Sequence, residues 1–195
     1  MQRENRNAPK AALKPFVKWA GGKGQLLAEI RGVYPRGLGG TVTKYCEPFV
    51  GGGAVLFDVL SRYELEEVYI SDVNAELINA YRTIQGGAEA LIARLSVLQA
   101  EYLPLDTKAR AAYYYGRRAE YNALRACGAR DTESAALFIF LNRTCFNGLY
   151  RVNRRGFFNV PVGTYKRPVI CDAENLRAIS AALCGVRIAC GDYRE

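Results

Sequence analysis

The chain has 195 residues, half of them apolar, with 27 Lys+Arg against 19 Asp+Glu and a formal net charge of +8, which fits one domain, or one domain with an insertion, and excludes a disordered or fibrous chain. Histidine is absent, which removes Ser-His-Asp, Cys-His and His-metal chemistry. No apolar run approaches the roughly 20 residues of a membrane helix and Met1 to Pro9 are polar, so a cytoplasmic protein without a membrane or metal partner is the expectation.

In chain order, Lys14 to Trp19 reads as a strand or extended arm. Ala20-Gly21-Gly22-Lys23-Gly24 reads as a loop, and Leu26, Leu27 and Ile30 as a helix reaching Pro35. Thr41 to Phe49 predicts a strand. Val50-Gly51-Gly52-Gly53 then opens an apolar helix over Ala54–Leu60, Glu67 to Ser71 forms a second strand ending at Asp72, and a helix runs from about Asn74 to Ile84. This strand, glycine turn, helix, strand order is a βαβ unit with a parallel sheet, an α/β fold. From Ala88 to Asn142 apolar residues recur at three and four, broken by Pro104 and Gly128, predicting two or three packed helices. Around Asn153-Arg154-Arg155-Gly156, two short β segments predict a hairpin. Asn175 to Leu183 returns to helix, and Gly185 to Cys190 is a third strand ending at Gly191-Asp192-Tyr193. The six cysteines form no CxxC pair and mostly sit in apolar stretches, so they read as reduced, small core residues.

The charge is unevenly placed. Residues 142–168 carry Arg143, Arg151, Arg154, Arg155, Lys166 and Arg167 with no acid, and residues 1–31 hold seven bases against two acids. Two basic segments on a mildly acidic body point to a polyanionic partner. Guanidinium groups, side-chain amides and aromatics interleave on the hairpin, a combination suited to base edges and phosphates; the plainer alternative is a solvated face.

Glu47-Pro48-Phe49-Val50-Gly51-Gly52-Gly53, with Asp72 about 20 residues on, has the geometry of a nucleoside-cofactor site. The glycines let a ligand approach the backbone and the acid accepts from a ribose diol, although glycines there also serve a tight turn. The absence of GxGxxG disfavours a dinucleotide oxidoreductase. Asp192 and Tyr193 fall at the same carboxyl edge, suited to an adenine amino group and ring or, more plainly, to a strand-end turn. Lys18-Trp19-Ala20-Gly21-Gly22-Lys23 departs from the P-loop pattern GxxxxGK[ST]. Trp19 reads either as core or as part of a surface platform.

Together, Pro15-Phe16-Val17-Lys18-Trp19-Ala20-Gly21-Gly22-Lys23, Glu47 to Gly53, Ser71-Asp72-Val73-Asn74, Leu141 to Arg151 and Phe158 to Lys166 resemble the DNA adenine methylase family, the alpha-type N6-adenine methyltransferases. The motifs follow the family's order over nearly the whole chain. The resemblance implies a partial Rossmann-like methyltransferase sheet with helices on its faces and a helical and β-hairpin target-recognition insertion. Residues 1–87 and 169–195 would be the S-adenosylmethionine-binding core, incomplete here, and residues 88–168 the recognition region, with its DNA-binding hairpin at 143–168. Trp19, Ala20, Lys23, Glu47, Phe49, Gly51, Gly53, Asp72, Asp192 and Tyr193 would hold S-adenosylmethionine. Lys18, Arg143, Asn147, Arg151, Asn153, Arg154 and Arg155 would meet double-stranded DNA.

Two departures qualify this. The family's catalytic Asp-Pro-Pro-Tyr is absent, since no Pro-Pro occurs, so no catalytic residue is assigned and the expectation is the N-terminal fragment of an adenine-N6 methyltransferase or one half of a split enzyme, with a second chain carrying that loop as a candidate partner. Phe157 follows Gly156 where the family often has a polar or charged residue, so a GATC target is carried by analogy alone. A DNA-binding module without catalytic duty is the alternative.

Overall fold

The computed structural model describes residues 13–194; the polar stretch Met1 to Pro9 and Glu195 lie outside the described residues. Strands β1 (Lys44–Glu47), β2 (Glu67–Asp72) and β3 (Arg187–Cys190) form a parallel sheet in the order β1-β2-β3. Helix α1 (Leu27–Gly32) follows a 3-10 turn over Lys23–Leu26, and α2 (Ala54–Arg62) connects β1 to β2. The crossover from β2 to β3 carries α3 (Ala75–Tyr102), α4 (Thr107–Ala126), α5 (Thr132–Thr144) and α6 (Ala173–Ala182). The predicted βαβ unit is present. Central β2 buries Val68, Ile70 and Ser71, whereas the edge strands are only half-buried.

Side chains fix the helix starts. Asn74, Asp106, Asp131 and Asp172 each accept a hydrogen bond from a backbone N–H in the first turn of α3, α4, α5 and α6, which satisfies donors that have no partner inside the helix. The run Ala135–Leu141 is buried throughout, as expected of a helix apolar on every side. It packs into a single core with Leu56, Ile70, Leu77, Tyr81, Leu95, Leu98 and Tyr114.

The helix expected over residues 74–84 and the first of those expected from Ala88 are joined as α3, with non-helical backbone at Gly87 (φ −155°, ψ 42°) between them. The arm Lys14–Trp19 joins no strand and bends at Phe16 and Val17. Asn175 exchanges hydrogen bonds with the N–H and C=O of Lys14 at 3.0 and 2.9 Å, and Asn142 does the same for Lys18 at 2.7 and 2.8 Å, so two side-chain amides act as the neighbouring strand. The cysteines are free thiols, but only Cys145 is buried, while Cys46, Cys127, Cys184 and Cys190 are exposed. Cys46 and Cys190 lie on edge strands, where apolar neighbours in sequence do not ensure cover.

The hairpin forms around the bridge Val152↔Phe158, with Asn153 N–H bonded to Phe157 O at 2.9 Å and Asn159 N–H to Arg151 O at 3.1 Å. It does not extend into regular strands, and α4 takes the outer backbone groups of its return arm. The Asn122 amide bonds both N–H and C=O of Phe158, and Tyr114 and Arg118 donate to Val160 O.

Candidate functional site

At the carboxyl edge of the sheet the chain leaves β1 at Glu47 and turns through Gly51-Gly52-Gly53 into α2. Gly51 and Gly53 adopt φ +50° and +78°, in the left-handed region that favours glycine. Gly53 also has no room for a side chain, since a Cβ would lie 2.8 Å from Phe57 Cε2 and against the Tyr81 hydroxyl. Tyr81, fully buried on α3, donates to Gly51 O at 3.0 Å, and Asp72 Oδ2 accepts from Gly51 N–H at 3.0 Å. The turn is thus gripped from α3 and from the end of β2.

Above it is a cavity of about 210 Å³ that brings together Trp19, Ala20, Lys23, Glu47, Phe49, Gly51, Gly53 and Asp72. Asp72 uses one lone pair of each oxygen on backbone N–H groups, Gly51 for Oδ2 and Asn74 for Oδ1 at 2.9 Å, and keeps further acceptor capacity. Burial pushes the Glu47 carboxyl above its ordinary value, against the Tyr45 hydroxyl that donates to it at 2.8 Å and the nearby Lys23 charge. The cavity therefore offers separate anionic and cationic groups beside apolar walls. Tyr193 reaches its rim, its ring 5.1 Å from that of Phe49. Asp192 does not line the cavity; its carboxylate pairs with Arg194 at 2.7 and 2.9 Å.

The basic segment is divided. Arg154 and Arg155 are exposed, and Arg151, also exposed, donates to Asn159 Oδ1 across the hairpin at 2.8 Å. Asn147 is exposed with a left-handed backbone (φ 53°). Asn153 Oδ1 accepts from the N–H groups of Arg155 and Phe157, both at 3.0 Å, so that amide oxygen shapes the turn. Lys18 Nζ sits 4.0 Å from the centre of the Tyr165 ring. Arg143 stands apart: its guanidinium is half-buried and donates to Phe16 O at 3.0 Å and Pro15 O at 3.3 Å, clamping the arm. Burial lowers its pKa.

A family model described as D12 class N6 adenine-specific DNA methyltransferase matches residues 19–195. The chain belongs to that family.

The chain is 48% identical over 182 residues to "Type II methyltransferase M.MjaIII" of Methanocaldococcus jannaschii, covering 93% of this chain and 63% of that protein. It is 38% identical over 188 residues to "Type II methyltransferase M1.LlaDCHI" of Lactococcus lactis, covering 95% and 61%. With the "DNA adenine methylase" of Haemophilus influenzae it shares 35% over 189 residues, covering 96% and 59%. The chain thus spans about three-fifths of the length of these relatives.

Several positioning groups of this family member were not singled out as site residues from the sequence. Tyr81 falls on the apolar stripe of α3 and reads as core. Asn142 lies in a segment read for DNA contact, yet is buried and bonds both Lys18 and Gly148 O, joining the arm to the start of the hairpin segment. Glu76 and Arg125 form a half-buried ion pair at 2.9 Å from residues 49 apart, which no local pattern signals.

Proposed function

We propose that this chain binds S-adenosylmethionine in the glycine-turn cavity and duplex DNA on the adjoining hairpin, and that it serves methyl transfer to the N6 position of adenine. The observation that carries this reading is the cavity itself. An acid at the end of β2 shares a wall with a glycine turn and the sole tryptophan, beside an acid-free basic hairpin.

The residues fit the cofactor's chemistry. Asp72 retains acceptor capacity for a ribose diol, and Glu47 and Lys23 offer opposite charges to the cationic and carboxylate ends of a sulfonium amino acid. Phe49 and Tyr193 supply aromatic surface for a purine, and Asp192 stands near them as an acceptor. S-adenosylmethionine, when bound, supplies an electrophilic methyl group. Lys18, Asn147, Arg151, Arg154 and Arg155 hold DNA, while Arg143 and the Asn153 oxygen keep the arm and hairpin in shape. In the family an Asp-Pro-Pro-Tyr segment holds the exocyclic amine of a flipped adenine in line with the methyl carbon; it does not occur within these 195 residues, so methyl transfer requires that segment in addition to them, whether on the same chain or on another. No described helix is long and apolar enough to cross a membrane, and an intracellular site accords with a DNA substrate.

Calorimetric titration with S-adenosylmethionine, paired with tritiated methyl transfer to duplex DNA, tests the reading. Saturable cofactor binding, with transfer appearing only when a segment carrying Asp-Pro-Pro-Tyr is added, supports it. DNA binding without cofactor binding favours the DNA-binding module instead.

A further inference from the structure

Trp19 belongs to two environments at once. It walls the cavity, where its indole Cδ1 would lie 2.9 Å from a Cβ on Gly51, and it stacks on Tyr150, with ring centroids 5.5 Å apart and planes 23° from parallel. Tyr150 immediately precedes Arg151, the first base of the hairpin. Its hydroxyl donates to Glu76 Oε2 at 3.3 Å, while Glu76 Oε1 accepts from Arg125 Nε at 2.9 Å. Arg125 then donates through a second nitrogen to Gly156 O, beside Arg155 in the hairpin turn. Glu76 itself sits in the first turn of α3, two residues after Asn74, whose N–H bonds Asp72.

The network therefore connects the cavity's tryptophan and acid to both arms of the hairpin. It does so through a buried carboxylate whose pairing is strongly enforced, because a buried charge without its partner is costly. Asn122, Tyr114 and Arg118 separately hold Phe158 and Val160 of the return arm to α4.

We propose that Tyr150, Glu76 and Arg125 are positioning residues that tie hairpin posture to the cavity wall, so that cofactor and DNA each tighten the binding of the other. The inference rests on the two binding surfaces proposed above and adds residues assigned to neither. A ligand that restrains the Trp19 indole narrows the orientations open to Tyr150, and phosphates that restrain the hairpin act back along the same bonds. Such coupling is reciprocal by thermodynamic necessity.

The test measures S-adenosylhomocysteine affinity with and without a fluorescein-labelled duplex, and duplex affinity with and without S-adenosylhomocysteine. In the wild type each ligand should tighten the other about tenfold. Because Trp19 is the only tryptophan, its emission should also shift when duplex alone is added. Tyr150→Leu removes the stack, and Arg125→Lys keeps a charge for Glu76 while removing the fork that reaches Gly156. Each should leave the separate affinities within about twofold and reduce the coupling towards unity; Tyr150→Leu should also abolish the emission shift. Tyr150→Phe, which keeps the ring but loses the hydroxyl that bonds Glu76, should retain the emission shift while its coupling falls as in Arg125→Lys. Independent binding in the wild type, or coupling that persists in Tyr150→Leu and Arg125→Lys, overturns the inference alone. Failure of the wild type to bind either ligand overturns the reading beneath it as well.

Discussion

The Asp72 carboxylate accepts the Gly51 N–H at 3.0 Å across 21 residues of chain. One acid thereby fixes the glycine turn that follows β1 to the end of β2, and the cavity floor and wall become one rigid unit before any ligand arrives.

Replacing Asp72 by Ala removes that acceptor, the acceptor of Asn74 N–H and the proposed diol partner together. Hydrogen bonds to a charged group contribute about 1.5–3 kcal/mol, so S-adenosylmethionine should bind roughly 10- to 100-fold more weakly in calorimetry. Binding to DNA alone should change little, because the hairpin makes no contact with this carboxylate.

Gly53→Ala should destabilise the fold by about 1–3 kcal/mol, the range for inserting a methyl group into packed surroundings, aggravated by a positive φ. The expected observation is a lower urea midpoint with an unchanged slope. Adding Tyr81→Phe should recover part of the loss by removing the hydroxyl that the new methyl meets.

Duplex binding should weaken steeply with salt. If about four hairpin and arm bases meet phosphates, log K should fall against log salt with a slope near −3.6. Replacing Arg151, Arg154 and Arg155 together by Ala should flatten that slope by about 2.7. Arg143→Ala should instead lower thermal stability, because it frees the carbonyls of Pro15 and Phe16, and should leave the slope nearly unchanged. A flat wild-type response would make the basic run a solvated face.

Acid should unfold the protein through two buried carboxylates. Burial raises the pKa of Asp58, but hydrogen bonds from Arg31, Arg62 and Tyr34 outweigh it and hold the value below the ordinary range. For Glu76, burial is likewise overcome by Arg125 and Arg130. A carboxyl depressed in the folded state contributes its full stability above the unfolded value of about 4 and loses it as pH falls through the folded value. Urea unfolding followed from pH 7 downwards should show stability declining below about pH 4, and Glu76→Gln should be less stable at neutral pH with a shallower acid decline. Since α1 has no buried residue and is tied to α2 through Arg31 and Asp58, hydrogen exchange at α1 should rise first.

Local features were legible because their causes are local. The β-branched and aromatic residues around β1, the glycines at Gly51 and Gly53, the acid closing β2 and the apolar run of α2 each act within a few residues, so the βαβ unit and the acids at its carboxyl edge were readable in order. The hairpin turn was readable too, since Asn153 and Gly156 bond within one turn of chain. That α4 holds the outer edge of its return arm was not, because Asn122, Tyr114 and Arg118 lie 36 to 46 residues from the groups they bond.

By itself the sequence determined the strand and helix order, the family resemblance and the placing of glycine, acid and cationic segments. Tertiary structure alone decided which polar side chains became struts. Arg143 and Arg155 lie in the same basic segment, yet one is half-buried and bonded to backbone carbonyls and the other is exposed. Glu76 meets Arg125 across 49 residues and Tyr150 across 74. The physical reason is that a buried polar group must find a partner wherever packing brings one, and packing joins residues without regard to their separation along the chain.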